Sequence, residues 1–115
     1  MLLIHGFTGS HKGFNQLTPL LKDYRLIIPD LPGFGISDLP AEEYWSIHCL
    51  SKLLNDFTRS LNLEKPPVIF GHSMGGLVVS AMVDHDPTLF DDVILMSPVP
   101  TAVRRRDSRA PGAVL

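Results

Sequence analysis

Apolar residues along this chain follow two periods in turn. Continuous apolar runs at Met1 to Ile4, Val68 to Phe70 and Val93 to Met96, and the stretch Arg25 to Asp30 around Leu26-Ile27-Ile28, have the length and composition of buried strands. Between them the spacing changes to three and four. Phe14, Leu17, Leu20 and Leu21 predict a short first helix that Pro19 makes irregular. Ile47, Leu50, Leu53, Leu54, Phe57 and Leu61 predict a second helix, capped by Ser46 and closed before Pro66-Pro67. A third runs from the apolar stretch Leu77 to Val83 as far as about Asp84. Strands alternating with helices imply parallel β-α-β units with right-handed crossovers. The expected architecture is α/β: a three-layer, open, mostly parallel sheet with helices on both faces.

In such sheets ligands bind beyond the C-terminal ends of the strands. His5 to Phe7, Asp30 to Asp38, Ser73 and Ser97 all follow predicted strand ends and so gather on one rim. One of them stands in a motif. Gly71-His72-Ser73-Met74-Gly75-Gly76 joins the third strand to the third helix as a Gly-x-Ser-x-Gly nucleophile elbow, where a strained serine lifts its hydroxyl clear of the sheet. The helix that opens after Ser73 aims its positive end at the place where an anionic intermediate would form. A plain tight turn is the alternative, and the strand and helix on either side favour the elbow.

Composition narrows the class. The chain has 115 residues, 44% of them hydrophobic and 19% charged, which suits one folded domain and neither disorder nor a fibre. Its apolar runs are far shorter than the roughly 18 residues a bilayer span needs, and Met1 to Ile4 lack the basic segment of a signal peptide. A single cysteine, Cys49, excludes an internal disulfide, reads as a buried helix residue and fits a reducing, cytoplasmic setting. Residues 1–103 hold six Lys/Arg against eleven Asp/Glu, whereas residues 104–115 hold four Arg against one Asp. Residues 102–115 therefore read as a solvated, disordered tail beyond a core of 1–101, not as a contact for nucleic acid or membrane. The histidines lack metal-ligand spacing, and the glycine-rich loops match neither dinucleotide nor P-loop patterns, so no metal or cofactor is expected.

Three linked stretches resemble the α/β-hydrolase fold family: the His5-Gly6-Phe7 loop, Pro29-Asp30-Leu31-Pro32-Gly33-Phe34-Gly35-Ile36-Ser37, and the elbow Gly71 to Gly76. Order and spacing agree over roughly residues 1–100. The resemblance implies that Ser73 is the nucleophile and that the backbone N–H groups of Phe7 and Met74 form an oxyanion hole, their side chains lining an acyl pocket. Phe7 as an ordinary core residue is the alternative.

In that family the sheet has eight strands in the order 1-2-4-3-5-6-7-8, and this chain corresponds to strands three to six. Strands one, two, seven and eight, the cap, and the positions of the triad acid and triad histidine are then absent, so the chain reads as a truncated portion of the fold. Among its own histidines, His5 is nearest to Ser73 but reads as structural, and Asp30 and Asp38 read as loop-shaping residues. The implied function is a serine hydrolase acting on an ester, thioester or related carbonyl of a small-molecule substrate, the isolated chain being inactive. A C–C bond hydrolase, a proline iminopeptidase-like enzyme and the menaquinone-pathway lyase that eliminates pyruvate share the core and stay open. So does a non-catalytic remnant that binds a partner or associates with itself through exposed sheet edges.

Overall fold

The computed structural model describes residues 1–39, 42 and 46–96. Among them three parallel strands, β1 (Leu2–Ile4), β2 (Ile69–His72) and β3 (Val93–Met96), form a sheet in the order β1-β2-β3. Leu2 stands opposite Ile69 and Ile4 opposite Gly71, while Ile69 pairs with Val93 and His72 with Met96. Helix α1 (Ile47–Ser60) lies in the crossover from β1 to β2, and α2 (Met74–His85) in that from β2 to β3.

Strand alternation divides the core. Leu2, Ile4 and Ile69 point to the face covered by α1 and α2, where they pack with Leu50, Leu54, Val78, Val79 and Met82. Leu3 and Phe70 point the other way and meet Phe14, whose ring stands edge-on to Phe70 at 5.8 Å. Both faces are therefore covered, one by α-helices and one by the segment that includes the 3-10 helices His11–Phe14 and Thr18–Leu21.

Helix α1 begins where expected, with Ser46 Oγ accepting from the Cys49 N–H at 3.1 Å. Its buried face is more polar than its leucine stripe foretold. Ser51, Asn55 and Thr58 are buried as well. The two hydroxyls bond back to the His48 and Leu54 carbonyls, and Asn55 Nδ2 donates across to the Met82 carbonyl of α2 at 2.9 Å. Every donor of the three is thus engaged in at least one hydrogen bond, although the buried Asn55 Oδ1 has no partner among the described residues, and such small groups let two helices lie close without bulky side chains between them.

Some expectations need correction. The first helix is not an α-helix: its segment breaks into the two 3-10 helices, with Gly13 in one and Pro19, which has no N–H, opening the other. The strand expected over Arg25 to Asp30 is reduced to a single parallel bridge, Ile27 to Leu2, with Leu26 to Ile28 only half-buried. Pro29 interrupts its donors, and no strand lies outside it among the described residues. The third strand lies over Ile69–His72, one residue later at its start and two at its end than expected. Cys49 is half-buried, not buried. The bridge does place the chain in the spatial order Ile27-β1-β2-β3, the order 4-3-5-6 that the resemblance implies. Ser97 and the arginine-rich tail lie outside the described residues. Among the described residues no helix is long and apolar enough to cross a membrane.

Among the described residues β3 is an exposed edge. Val93, Ile94, Leu95 and Met96 are 38%, 41%, 43% and 46% exposed, with no lysine or proline among them to discourage pairing with another chain. Ile94→Lys should raise the monomeric fraction in size-exclusion chromatography with light scattering and leave the far-ultraviolet circular dichroism intact. An unchanged oligomer distribution would remove the edge as a cause of association.

Candidate active site

The turn after β2 has the geometry that its sequence predicts. Ser73 takes φ +54° and ψ −123°, a region that L-residues rarely adopt, and α2 begins at the next residue. The Ser73 N–H donates to the Met96 carbonyl at 3.1 Å, anchoring the turn to β3. Its side chain makes no capping bond to α2, so the hydroxyl stays free of the helix it precedes.

Glycines let three backbones meet here. A Cβ on Gly71 would sit 2.7 Å from the Gly75 carbonyl oxygen and 2.8 Å from the Gly76 Cα. One on Gly75 would collide with the Ile4 carbonyl oxygen and come within 2.7 Å of that of His5. The first turn of α2 thus rests on the end of β1. Gly6 completes the contact: a Cβ there would lie 3.3 Å from Ser73 Cβ and 3.6 Å from the Met74 nitrogen. The loop after β1 therefore runs directly beside the elbow. Among the described residues neither the Phe7 nor the Met74 N–H donates to a backbone carbonyl outside the helices and strands. Met74, as the first residue of α2, also lies ahead of that helix's own hydrogen-bond ladder.

Polar groups hold the loop in place. His5 is 2% exposed; its Nε2 accepts from the Leu31 N–H at 2.9 Å, so Nδ1 carries the proton and donates to the Gly6 carbonyl at 2.6 Å. Both ring nitrogens are engaged, which leaves His5 a structural staple between two rim loops. Asp30, its side chain 3% exposed, accepts from the His11 N–H at 2.6 Å, the Ile36 N–H at 3.1 Å and His11 Nδ1 at 2.9 Å. Gly35, at φ +54°, fits against this carboxylate where a Cβ would not. Burial works against the charge on Asp30, but the two backbone N–H groups and the His11 ring outweigh it and hold the carboxyl down from 3.8 to about 2. Asp30 is a loop-shaping residue, as expected. The pairing with His11, 19 residues earlier in the chain, had no local signal.

A cleft of about 570 Å³ opens beside Ser73, bounded by His5 to Ser10, His72 and Met96, and on its far side by Phe14, Leu17 and Leu20. Phe7 lines it, its ring edge-on to Phe34 at 5.3 Å, whereas the Met74 side chain is not among the residues that line it. His72 is exposed on the rim of the same cleft. The other histidines are occupied elsewhere: His11 with Asp30, and His48 with His85 in an edge-on pair at 4.8 Å between α1 and α2. Among the described residues no group of three or more His, Cys, Asp or Glu could hold a metal ion.

The alpha/beta hydrolase fold family matches residues 1–113. An uncharacterized hydrolase of Bacillus subtilis is 35% identical over 97 residues, covering 84% of this chain and 35% of its own length. Lipase 3 of a Moraxella species is 36% identical over 78 residues, covering 68% of this chain and 25% of its own. Among solved structures, a monoacylglycerol lipase of Paleococcus ferrophilus superimposes with a TM-score of 0.74 at 26% identity, over 93% of this chain and 41% of that one. The chain belongs to the alpha/beta hydrolase fold family and spans about a third or less of the length of these curated relatives.

Two measurements test the local physics. Ser73→Gly should be more stable than Ser73→Ala by about 1 kcal/mol in urea unfolding, because alanine keeps a Cβ at positive φ and glycine does not; equal stabilities would mean that the turn is unstrained. For Asp30 the folded-state pKa lies below the unfolded one, so its contribution is present above about pH 4 and lost as pH falls through about 2. Asp30→Asn should then cost about 1 to 2 kcal/mol near neutral pH, with the gap from wild type closing on acidification. A gap that does not change with pH would assign the effect to shape and not to charge.

Proposed function

We propose that this chain, as a member of the α/β-hydrolase fold family, carries the nucleophile half of a serine hydrolase that cleaves an ester, thioester or related acyl bond. One observation carries the reading: Ser73 stands at φ +54° at the start of α2, with the Gly6-Phe7 backbone beside it. In this reaction Ser73 Oγ attacks the substrate carbonyl carbon while its proton passes to a base. The bond to the leaving alcohol or thiol then breaks with return of a proton, and water cleaves the acyl-enzyme in the same way. The Phe7 and Met74 N–H groups hold the oxyanion, aided by the positive end of α2; loss of one such donor costs roughly 3 to 4 kcal/mol.

Ser73 lacks its base within the described residues. Both His5 nitrogens are taken, His11 serves Asp30, His48 and His85 belong to the helix pair, and His72, although on the rim of the cleft, is the residue next to Ser73 in an elbow that turns adjacent side chains apart. The triad histidine and acid are read as lying outside the described residues. The likeness to Lipase 3 and to a monoacylglycerol lipase favours an acyl ester over the pyruvate-eliminating reaction.

A fluorophosphonate probe tests this. Mass spectrometry should locate slow labelling on Ser73, absent in Ser73→Ala and accelerated by added imidazole, which supplies the missing base. The unaided rate should lie roughly a million-fold below that of a complete triad. Labelling that survives Ser73→Ala would overturn the nucleophile assignment. No labelling even with imidazole would make the chain a non-catalytic remnant.

A further inference from the structure

We propose that Phe14, Leu17 and Leu20 form the acyl-chain wall of this site, and that the chain it accepts is straight, uncharged and of medium length. The inference rests on the reading of Ser73 as an acyl acceptor and adds to it the chemistry of the acyl group. Three observations carry it.

The first is periodicity. Phe14, Leu17 and Leu20 are spaced by three, and they belong to, or lie between, the 3-10 helices His11–Phe14 and Thr18–Leu21. In 3-10 geometry residues three apart eclipse one another, so these side chains stack along one line, whereas an α-helix would rotate them progressively apart. All three line the cleft that holds Ser73.

The second is a gradient of burial along that line. Phe14 is buried against Phe70, Leu17 is half-buried, and Leu20 is 78% exposed although it lines a cleft. An apolar path thus leads from the sheet outward to the surface. The third is charge: among the described residues no Asp, Glu, Lys or Arg lines the cleft, whose polar side chains are Thr8, Ser10, Gln16, Ser73 and the histidines His5 and His72. A carboxylate or ammonium on the acyl group would find no partner there and would lose its hydration. The volume of about 570 Å³ falls within the roughly 300 to 1,000 Å³ of small-molecule sites, which leaves room for a chain beside the reacting carbonyl. Each methylene moved from water onto this wall should tighten binding by up to about fourfold.

The test uses two probe series on the full chain. In the first, uncharged 2-alkanones of increasing length are titrated and followed by amide chemical shifts. Affinity should rise with length, with shifts at Leu17 and Leu20, and then level off. In the second, alkyl fluorophosphonates from ethyl to decyl are compared, with imidazole present, for their rate of attachment to Ser73. Leu20→Gln should cut the preference of octyl over ethyl by roughly threefold to tenfold. Leu20 is exposed, so this substitution does not threaten folding. Leu39→Gln, at an equally exposed leucine that does not line the cleft, should leave that preference unchanged.

Ketone affinity independent of length, or a length preference that Leu20→Gln leaves intact, overturns the wall. Length-dependent binding that responds to Leu20→Gln, without any Ser73 labelling, keeps the wall and overturns the hydrolase reading. Labelling at Ser73 at one rate for every chain length does the reverse.

Discussion

The structure depends on a close approach of backbones at Gly75. The first turn of α2 lies so near the end of β1 that the carbonyl oxygens of Ile4 and His5 occupy the space a Cβ would need. That contact brings the start of α2, the serine before it and the loop after β1 to one place on the rim. The parallel register, Ile4 opposite Gly71, makes the two strands end at the same level and so permits it. Any side chain at Gly75 would push α2 off the sheet and separate Ser73 from the loop that runs beside it.

The strained conformation of Ser73 is sustained by what surrounds it. A non-glycine residue in such a region costs on the order of 1 to 3 kcal/mol. Val78, Val79 and Met82 on the same helix are fully buried, each contributing about 1.5 to 3 kcal/mol, so the packing of α2 outweighs the strain at its entrance. The loop after β1 is held differently, by the two engaged nitrogens of His5 and by the Asp30 carboxylate bonded to His11 and Ile36. Removing one partner of a buried polar group leaves the other unsatisfied, so these bonds resist loosening singly. Rigid packing on one side and satisfied polar bonds on the other keep the rim in order.

Legibility in the sequence varied with how local the governing interactions are. β3 falls on its apolar run, Val93–Met96, and α2 follows the elbow at once, because a continuous run and a glycine-flanked turn need no distant partner to be recognised. Ser46 caps α1 through a bond three residues long. By contrast, Leu26-Ile27-Ile28 has strand composition, yet one bridge is all that forms, since pairing depends on neighbours and on Pro29. The stripe from Phe14 to Leu21 matched three-and-four spacing as well as pure three, and Gly13 and Pro19 decided for the tighter helix. The buried Ser51, Asn55 and Thr58 broke the polar-outside expectation for two reasons: the Ser51 and Thr58 hydroxyls are satisfied by carbonyls of α1 itself, and the Asn55 bond to Met82 is made only when α1 meets α2.

The sequence by itself determined the alternation of strands and helices, the elbow at Ser73 and the glycines that it requires, because these follow from steric limits on single residues and from short-range periodicity. Tertiary structure alone decided which groups His5 joins, that His11 belongs to Asp30, and that Phe14, Leu17 and Leu20 share a cleft with the serine. Those outcomes depend on atoms up to about sixty residues apart being brought within a few ångströms. Such proximity is set by the packing of sheet, loop and helix together, and no window of sequence contains it.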